Sequence, residues 1–233
     1  MRSKLVISPL FLDTDDKRFF PIAARKVITE ICEATEIEVR ERLPMLAGEI
    51  ELEARTASRV IPELGCTGSA ISGSRIRWAV DPSRQGGLVT IAKTQLRRTL
   101  VHEPHHVARG WVRDGSAIQP TLMDAVVSEG LATAFERDVT GHKPPWGEYP
   151  AEVTDWIGEL LRVPHTASYR SWMFSHPDVR RWIGYRTGVY IVDKVRMKTG
   201  LSAAELVNAS TSEVLRLAGI EGGPIAGIVM PRG

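Results

Sequence analysis

The chain has 233 residues, of which 43% are hydrophobic and 25% are charged, and this composition excludes wholesale disorder and a fibrous protein. Its 30 basic and 28 acidic side chains leave a formal net charge of +2, so no global field favours nucleic acid or an anionic membrane. No apolar run approaches the roughly 18 residues that a membrane span requires.

The first predicted elements are a strand and a helix. Leu5–Leu12 is apolar and short, which predicts a buried strand, and Pro9 within it indicates a sheet edge or a bulge. Pro21 stands where a helix can begin, apolar residues follow at helical spacing, and Pro44 ends the pattern.

Two alternating segments predict further strands. Glu49–Ala54 and Arg75–Val80 place apolar side chains at every second position, as a half-buried strand does. Residues 65–74 between them are rich in Gly and Ser and are predicted to form a loop, without the Lys-Ser/Thr ending of a phosphate-binding loop. Residues 88–92 are predicted as one more strand or as the entry to the next helix. We expect a small, mainly antiparallel sheet with one helix.

Helical periodicity dominates the rest of the chain. The predicted helices are residues 94–109, 122–138, 151–162 and 177–198, followed by a short helix that opens with a capping box of Ser202 and Glu205. These patterns predict an α+β protein with a single domain over residues 1–233. This domain comprises an α+β part at 1–92, a helical part at 93–220 and a loosely held Gly-rich tail at 221–233.

Residues 102–106 have the sequence His-Glu-Pro-His-His, which matches H-E-x-x-H. Residues four apart lie on one face of a helix, so His102 and His106 can bind one Zn²⁺ at about 2.0–2.1 Å. Glu103 lies beside the first ligand and can take a proton from a water that the ion acidifies. The motif therefore predicts zinc-dependent hydrolysis with Glu103 as the general base.

A third candidate ligand is Glu129, on the next predicted helix. It stands in an otherwise apolar run, where an unpaired buried carboxylate is costly and a zinc ion would satisfy it. Gly130 and Ala132 are small and would allow two helices to approach closely around a metal. The alternative is that Glu129 lies on a solvated face and that both histidines are surface residues.

The motif with Glu129 downstream resembles the gluzincin class of zinc peptidases, in which the third ligand is a Glu on the following helix. A longer pattern resembles a bacterial family of predicted zinc-dependent proteases over residues 20–215. It comprises His102-Glu103-x-His105-His106-x-x-Arg109, Thr121-Leu122, Val127-Ser128-Glu129-Gly130-Leu131-Ala132 and Trp182-x-Gly184-Tyr185-x-x-Gly188. The resemblance implies a zincin-like fold, a Zn²⁺ site at His102, His106 and Glu129, and Glu103 as base.

Pro104 departs from the usual form of the motif. A proline inside a helix removes one backbone hydrogen bond, here to the carbonyl of Leu100, and costs about 3 kcal/mol. If the helix broke before His106, the two imidazoles would no longer share a face, whereas a kink would preserve the site. His105 is expected to be exposed to solvent or to support the ligands from behind.

Peptide hydrolysis also requires a hydrogen-bond donor to the developing oxyanion. The candidates are Tyr185, Tyr190, His165 and His176. We choose Tyr185 as the catalytic candidate, because it lies beside Gly184 on a predicted helix and its phenol could swing into a cleft. The alternative is that Tyr185 belongs to a core stripe with Trp182, Val189 and Val192.

Two further features have two interpretations each, and a third has one that depends on its place in the sheet. Arg109 lies on the face of the site or forms a surface salt bridge. Trp146, in a turn-rich loop, closes a substrate cleft or caps the core. The strand Arg75–Val80 precedes the motif helix, and if it is a sheet edge it can bind an extended peptide, as the resemblance implies for substrates of this class.

These features support one leading hypothesis, a zinc-dependent peptidase that acts on a peptide or protein substrate. The second hypothesis is a non-catalytic, zinc-stabilised protein-binding domain, which Pro104 favours. The third, nucleic-acid binding, rests on the pairs Arg97-Arg98 and Arg180-Arg181, and the near-neutral charge opposes it. Only Cys32 and Cys66 are present, so we expect reduced thiols and a cytoplasmic protein. No membrane partner is expected, and the sequence leaves the oligomeric state open.

Overall fold

A computed structural model describes residues 4–12, 20–114, 121–164 and 166–220. The chain divides at residue 115 into two compact units. The first unit contains a sheet with helices and the second is helical, which confirms the α+β class. The predicted tail at 221–233 lies outside the described residues, and the single domain over 1–233 stays a prediction.

The sheet of the first unit is mixed and mostly parallel. Its strands are β1 (Leu5–Leu12), β2 (Gly48–Thr56), β3 (Cys66–Ser72) and β4 (Arg75–Val80), in the order β1-β2-β4-β3. β1 and β2 are parallel, β2 and β4 are parallel, and only β3 and β4 are antiparallel. The prediction of a mainly antiparallel sheet is therefore wrong. Helix α1 (Ile22–Arg42) carries the chain from the end of β1 back to the start of β2, which makes that pair parallel.

Residues 65–74 are not a loop, because Cys66–Ser72 forms β3. Gly and Ser weaken the local strand signal, and pairing with β4 outweighs that preference. Since β4 lies between β2 and β3, Arg75–Val80 is not a sheet edge, and the condition under which it could bind an extended peptide is not met. The edges are β3 and β1, and the presence of Pro9 in β1 agrees with its prediction as an edge strand.

The two faces of this sheet differ in chemistry. Helix α1 packs against β1, and the inward side chains are apolar and buried: Leu5, Ile7, Ile50, Leu52, Ala54, Ile76, Trp78 and Val80. On the opposite face, Glu51 bonds Arg75 at 3.0 Å and Glu53 bonds Arg77 at 2.6 Å across β2 and β4. The buried face positions the helices of this unit, including the one that carries the metal-binding motif.

The motif helix follows the sheet directly. Helix α2 (Gly87–Ile91) passes through one wider π-helical turn (Ala92–Leu96) into α3 (Arg97–Arg109), so the residues predicted as a strand or a helix entry are helical. Gly110 ends α3 in a left-handed conformation with a φ of 73°. Helix α3 packs against α1, β3 and β4.

The second unit contains helices α4 (Leu122–Thr140), α5 (Val153–Arg162), α6 (Tyr169–Met173), α7 (Ile183–Thr199) and α8 (Thr211–Ala218). Helix α4 begins with a capping box, in which Thr121 Oγ1 accepts from the Asp124 N–H and the Asp124 carboxylate accepts from the Thr121 N–H. None of the helices in the described ranges has a segment long and apolar enough to cross a membrane.

One predicted helix start is displaced, and the prediction of a short helix that opens at Ser202 is wrong. The helix predicted from residue 177 begins at Ile183, because residues 174–182 form a turn closed by a bridge between Ser175 and Arg181. The bonds of the capping box at Ser202 and Glu205 are present, but turns follow them. Helix α8 starts later, where Ser210 Oγ caps it.

Helices α4 and α7 approach each other through glycine. A Cβ atom on Gly130 would lie 2.7 Å from the Cα atom of Gly188 and closer still to its carbonyl group. Gly184, one turn before Gly188, faces the sulfur of Met173 on α6. Gly130, the small residue that follows Glu129, therefore allows α4 and α7 to pack closely within this unit.

Candidate metal centre

Helix α3 places the two motif histidines on one face. His102 and His106 are one helical turn apart, their Nε2 atoms are 3.1 Å apart, and their ring centroids are separated by 4.8 Å. Both residues are buried, with 7% and 3% of their surface exposed. The alternative that they are surface histidines is wrong.

Pro104 does not break the helix. Helix α3 runs continuously from Arg97 to Arg109 with the proline inside it. Proline removes the bond to the Leu100 carbonyl, but Leu100, Val101 and Val107 are buried, and their packing holds the helix across the gap. The imidazoles therefore keep a common face.

His105 is fully buried, so the first of its two expected positions, exposure to solvent, is wrong, and support of the ligands from behind stays a prediction. It lies on α3 between Pro104 and His106, within a run of buried residues from Leu100 to Val107. The apolar pattern of the segment does not predict the burial of His105, because the structure buries every side of this helical turn and not only its apolar face.

Glu103 is also buried, with 7% of its surface exposed. It faces β3 at Gly68: a Cβ atom on this glycine would lie 2.6 Å from Glu103 Oε1. The sequence does not indicate this neighbour, because the Gly and Ser residues around Gly68 predict a loop. Cys66, Gly68 and Ala70 stand at every second position, and Cys66 and Ala70 are buried, so a period of two is the signal that could have identified the strand.

Glu129 lies in the buried middle of α4. Its exposure is 8%, and Ser128, Gly130 and Leu131 beside it are buried as well. The alternative of a solvated face is therefore wrong. A carboxylate in such surroundings is costly unless a charged or hydrogen-bonding group compensates it.

Within the described part of the chain, His102, His106 and Glu129 form a group that could hold a metal ion. Each offers one ligand atom, and these atoms all lie within 4.8 Å of one another. Two imidazole nitrogens and one carboxylate oxygen are a donor set that suits Zn²⁺. The 3.1 Å between the Nε2 atoms is close to the spacing of two nitrogens that are each about 2.0–2.1 Å from one ion. The residues present therefore fit a zinc ion.

Tyr185 lies in an aromatic cluster of the second unit. Its ring centroid is 5.3 Å from that of Trp146, 5.6 Å from Trp182 and 6.0 Å from Phe174. Trp146 and Trp182 are buried, so Trp146 forms part of a core. These contacts favour the core-stripe interpretation of Tyr185, and its catalytic role stays a prediction.

The other oxyanion candidates have partners of their own or lie outside the described residues. His176 Nδ1 is 2.9 Å from Asp178 Oδ1, and Tyr190 packs edge-on against Tyr149 at 5.1 Å. His165 is outside the described residues. Hydrogen bonds from Arg180 hold the pKa of the Asp178 carboxyl well below its usual range, which keeps this carboxylate charged beside the histidine.

Two of the four arginines that suggested nucleic-acid binding have acidic partners. Arg97 pairs with Glu38 at 2.6 Å, and Arg180 pairs with Glu159 at 2.6 Å. Arg109, near the end of α3, is half-buried, and both interpretations of it stay open. The two pairings neutralise part of the positive charge on which that hypothesis rests.

Residues 26–216 match the model of a family whose description is "Predicted Zn-dependent protease". Among curated proteins and among solved structures, nothing similar to the chain is found.

Proposed function

The chain belongs to the family of predicted Zn-dependent proteases, and from this we propose that it is a zinc-dependent peptidase of the gluzincin type. His102, His106 and Glu129 bind the ion, and Glu103 is the general base. The observation that carries the proposal is the buried group of three ligand atoms within 4.8 Å of one another.

Residues of the chain carry out the proton transfers and bind the oxyanion. A bound zinc ion supplies a Lewis acid and lowers the pKa of a water molecule. The Glu103 carboxylate accepts a proton from water as the water oxygen bonds the peptide carbonyl carbon. When the C–N bond breaks, Glu103 delivers this proton to the amine nitrogen. Tyr185 is the proposed donor to the oxyanion, through its phenolic O–H.

The position of β3 at an edge of the sheet supports the proposal of a peptide substrate. At its two ends this edge is already used, because the Cys66 carbonyl accepts from the Ile61 N–H and the Ala70 carbonyl accepts from the Arg113 N–H. Alternate residues of a strand point their backbone groups to the same side, so Gly68 faces the same edge between these bonds. We propose that a substrate backbone pairs here with the Gly68 N–H, beside Glu103.

Zinc content and peptide cleavage together test the proposal. Protein purified without added metal or chelator should contain about one zinc per chain, and His102→Ala should lose it. Glu103→Gln should keep the zinc and lose at least about 100-fold in kcat on a peptide mixture. The control is Glu41→Gln, the same chemical change at an exposed position of α1.

The outcomes separate the hypotheses. Full activity of Glu103→Gln, or cleavage that a chelator does not stop, would show the mechanism to be wrong. Bound zinc without cleavage of any peptide would favour the zinc-stabilised protein-binding domain instead. The cytoplasmic location stays a prediction, for which cell fractionation is the measurement.

A further inference from the structure

Strand β3 and helix α3 come unusually close at one residue, Gly68. A Cβ atom at this position would lie 2.6 Å from Glu103 Oε1, 2.6 Å from Thr99 Cγ2 and 3.1 Å from Glu103 Cγ. Non-bonded carbon atoms ordinarily stay about 3.5–4.0 Å apart. The space that any side chain at position 68 would need is therefore occupied by the carboxylate end of Glu103 and the methyl group of Thr99.

Backbone conformation does not require glycine here. Gly68 pairs with Trp78 in the regular ladder between β3 and β4, and it is not among the described glycines with positive φ. In a strand, glycine costs backbone entropy and contributes no packing. What the position requires is the absence of a side chain, because α3 must come close enough for Glu103 to lie against the strand.

We propose that Gly68 is a positioning residue for Glu103. Its missing side chain provides the room in which the carboxylate lies, next to the outer edge of β3. The inference rests on the proposed function, since it assigns the room to the general base of that reaction. Thr99 and Glu103 are one turn apart on α3, so Thr99 lines the same space from the preceding turn.

The proposal predicts the effect of Gly68→Ala on turnover. The obstacle nearest to the new methyl group on the Glu103 side is the far end of a flexible side chain, so the carboxylate moves before the backbone does. Displacing a catalytic group by part of an ångström is enough to reduce turnover strongly. We expect kcat to fall at least about tenfold with KM and zinc content unchanged.

The matched control is Gly73→Ala, in the turn between β3 and β4. A Cβ atom there meets nothing within 4 Å, and the substitution changes the same hairpin by the same methyl group. Its kcat should equal that of the unchanged protein. A loss in both variants would mean that the hairpin as a whole, and not the room at Gly68, affects the site.

A stability measurement tests the contact without any activity. In metal-free protein, Gly68→Ala should lower the urea midpoint of unfolding, and Glu103→Ala in the same chain should recover part of the loss. Thr99→Ser, which removes Cγ2, should also recover part of the stability. It should not restore kcat, because Glu103 is still displaced.

These measurements distinguish two failures. If Gly68 and Glu103 show coupling in unfolding but Glu103→Gln is fully active, the proposed function is wrong and the contact is structural. If Glu103→Gln is inactive while Gly68→Ala keeps full kcat, or if Thr99→Ser restores it, Gly68 does not position the base. The proposal requires both the coupling in unfolding and the loss of turnover that Thr99→Ser leaves in place.

Discussion

The close approach of α4 and α7 makes Gly130→Ala the most informative stability variant. A Cβ atom on Gly130 would lie 2.7 Å from Gly188 Cα, and the obstacle is backbone, which cannot rotate away. To restore an ordinary carbon–carbon distance of about 3.6 Å to this Cα atom alone, the helices must separate locally by roughly 0.9 Å, and the carbonyl carbon of Gly188, which is closer still, requires more. Such overpacking costs about 3 kcal/mol at the upper end of its usual range.

Helix propensity acts in the opposite direction. Replacing glycine by alanine inside a helix gains about 1 kcal/mol, so the expected net loss for Gly130→Ala is about 2 kcal/mol. For a chain of this length that corresponds to a decrease in Tm of roughly 4–8 °C. Because Glu129 precedes Gly130, the same displacement is expected to weaken zinc binding.

Gly158→Ala in α5 is the control with the opposite expected sign. A Cβ atom at Gly158 has only the guanidinium end of Arg162 nearby, at 3.5 Å, so the propensity gain of up to about 1 kcal/mol is not offset. Urea unfolding followed by circular dichroism, in the presence of chelator, measures both variants. A Gly130→Ala protein as stable as the unchanged chain, or more stable, would refute the backbone-contact argument.

Three further outcomes follow from burial and capping. Arg77→Met should lower the unfolding free energy by about 1–3 kcal/mol in urea unfolding, because it leaves the nearly buried carboxylate of Glu53 without its partner. The control is Arg75→Met on the same strand, whose ion pair is exposed, and it should change the unfolding free energy by less than about 1 kcal/mol. Burial and two neighbouring carboxylates raise the pKa of the Cys32 thiol to about 12. Iodoacetamide at pH 8.5 should therefore leave this thiol unmodified in the folded protein and should alkylate it in urea, and mass spectrometry of the alkylated chain measures both. Thr121→Ala removes the cap of α4 and should cost about 1 kcal/mol in the same unfolding assay; an unchanged midpoint would mean that the capping bonds contribute nothing.

The elements that the sequence predicts well are those whose signal is local. Leu5–Leu12 is an apolar run that ends at an acidic residue, and the pattern of α1 is bounded by Pro21 and Pro44. The structure confirms the strand and the helix, although only Leu5 and Ile7 of the strand are buried. Strand direction is not a local property: that β1 and β2 are parallel depends on where α1 returns the chain. The sequence predicts no strand at Cys66–Ser72, because Gly and Ser lower the local strand propensity, and it is the pairing with β4 that stabilises this strand.

In the candidate site too, the sequence predicts the features that are local and does not predict those that depend on packing. The spacing of His102 and His106 is local, so the motif could be identified from five consecutive residues. The burial of His105 and the contact between Gly68 and Glu103 depend on which elements pack together, and no spacing rule contains that information. Pro104 illustrates the converse, because its local penalty is real while tertiary packing of Leu100 and Val107 decides the outcome.

A common feature of the helices that carry the proposed ligands is a glycine at the closest contact with the neighbouring element. In the first unit α3 lies against β3 at Gly68, and in the second unit α4 lies against α7 at Gly130 and Gly188. A side chain at Gly130 or Gly188 would have to move a helix, and a side chain at Gly68 would have to move the carboxylate of the proposed base. Metal binding and general-base catalysis tolerate displacements of only about half an ångström, whereas a hydrophobic core adapts to larger ones. We therefore expect substitutions at these glycines to reduce zinc affinity or turnover more than substitutions of equal volume change elsewhere in the same cores.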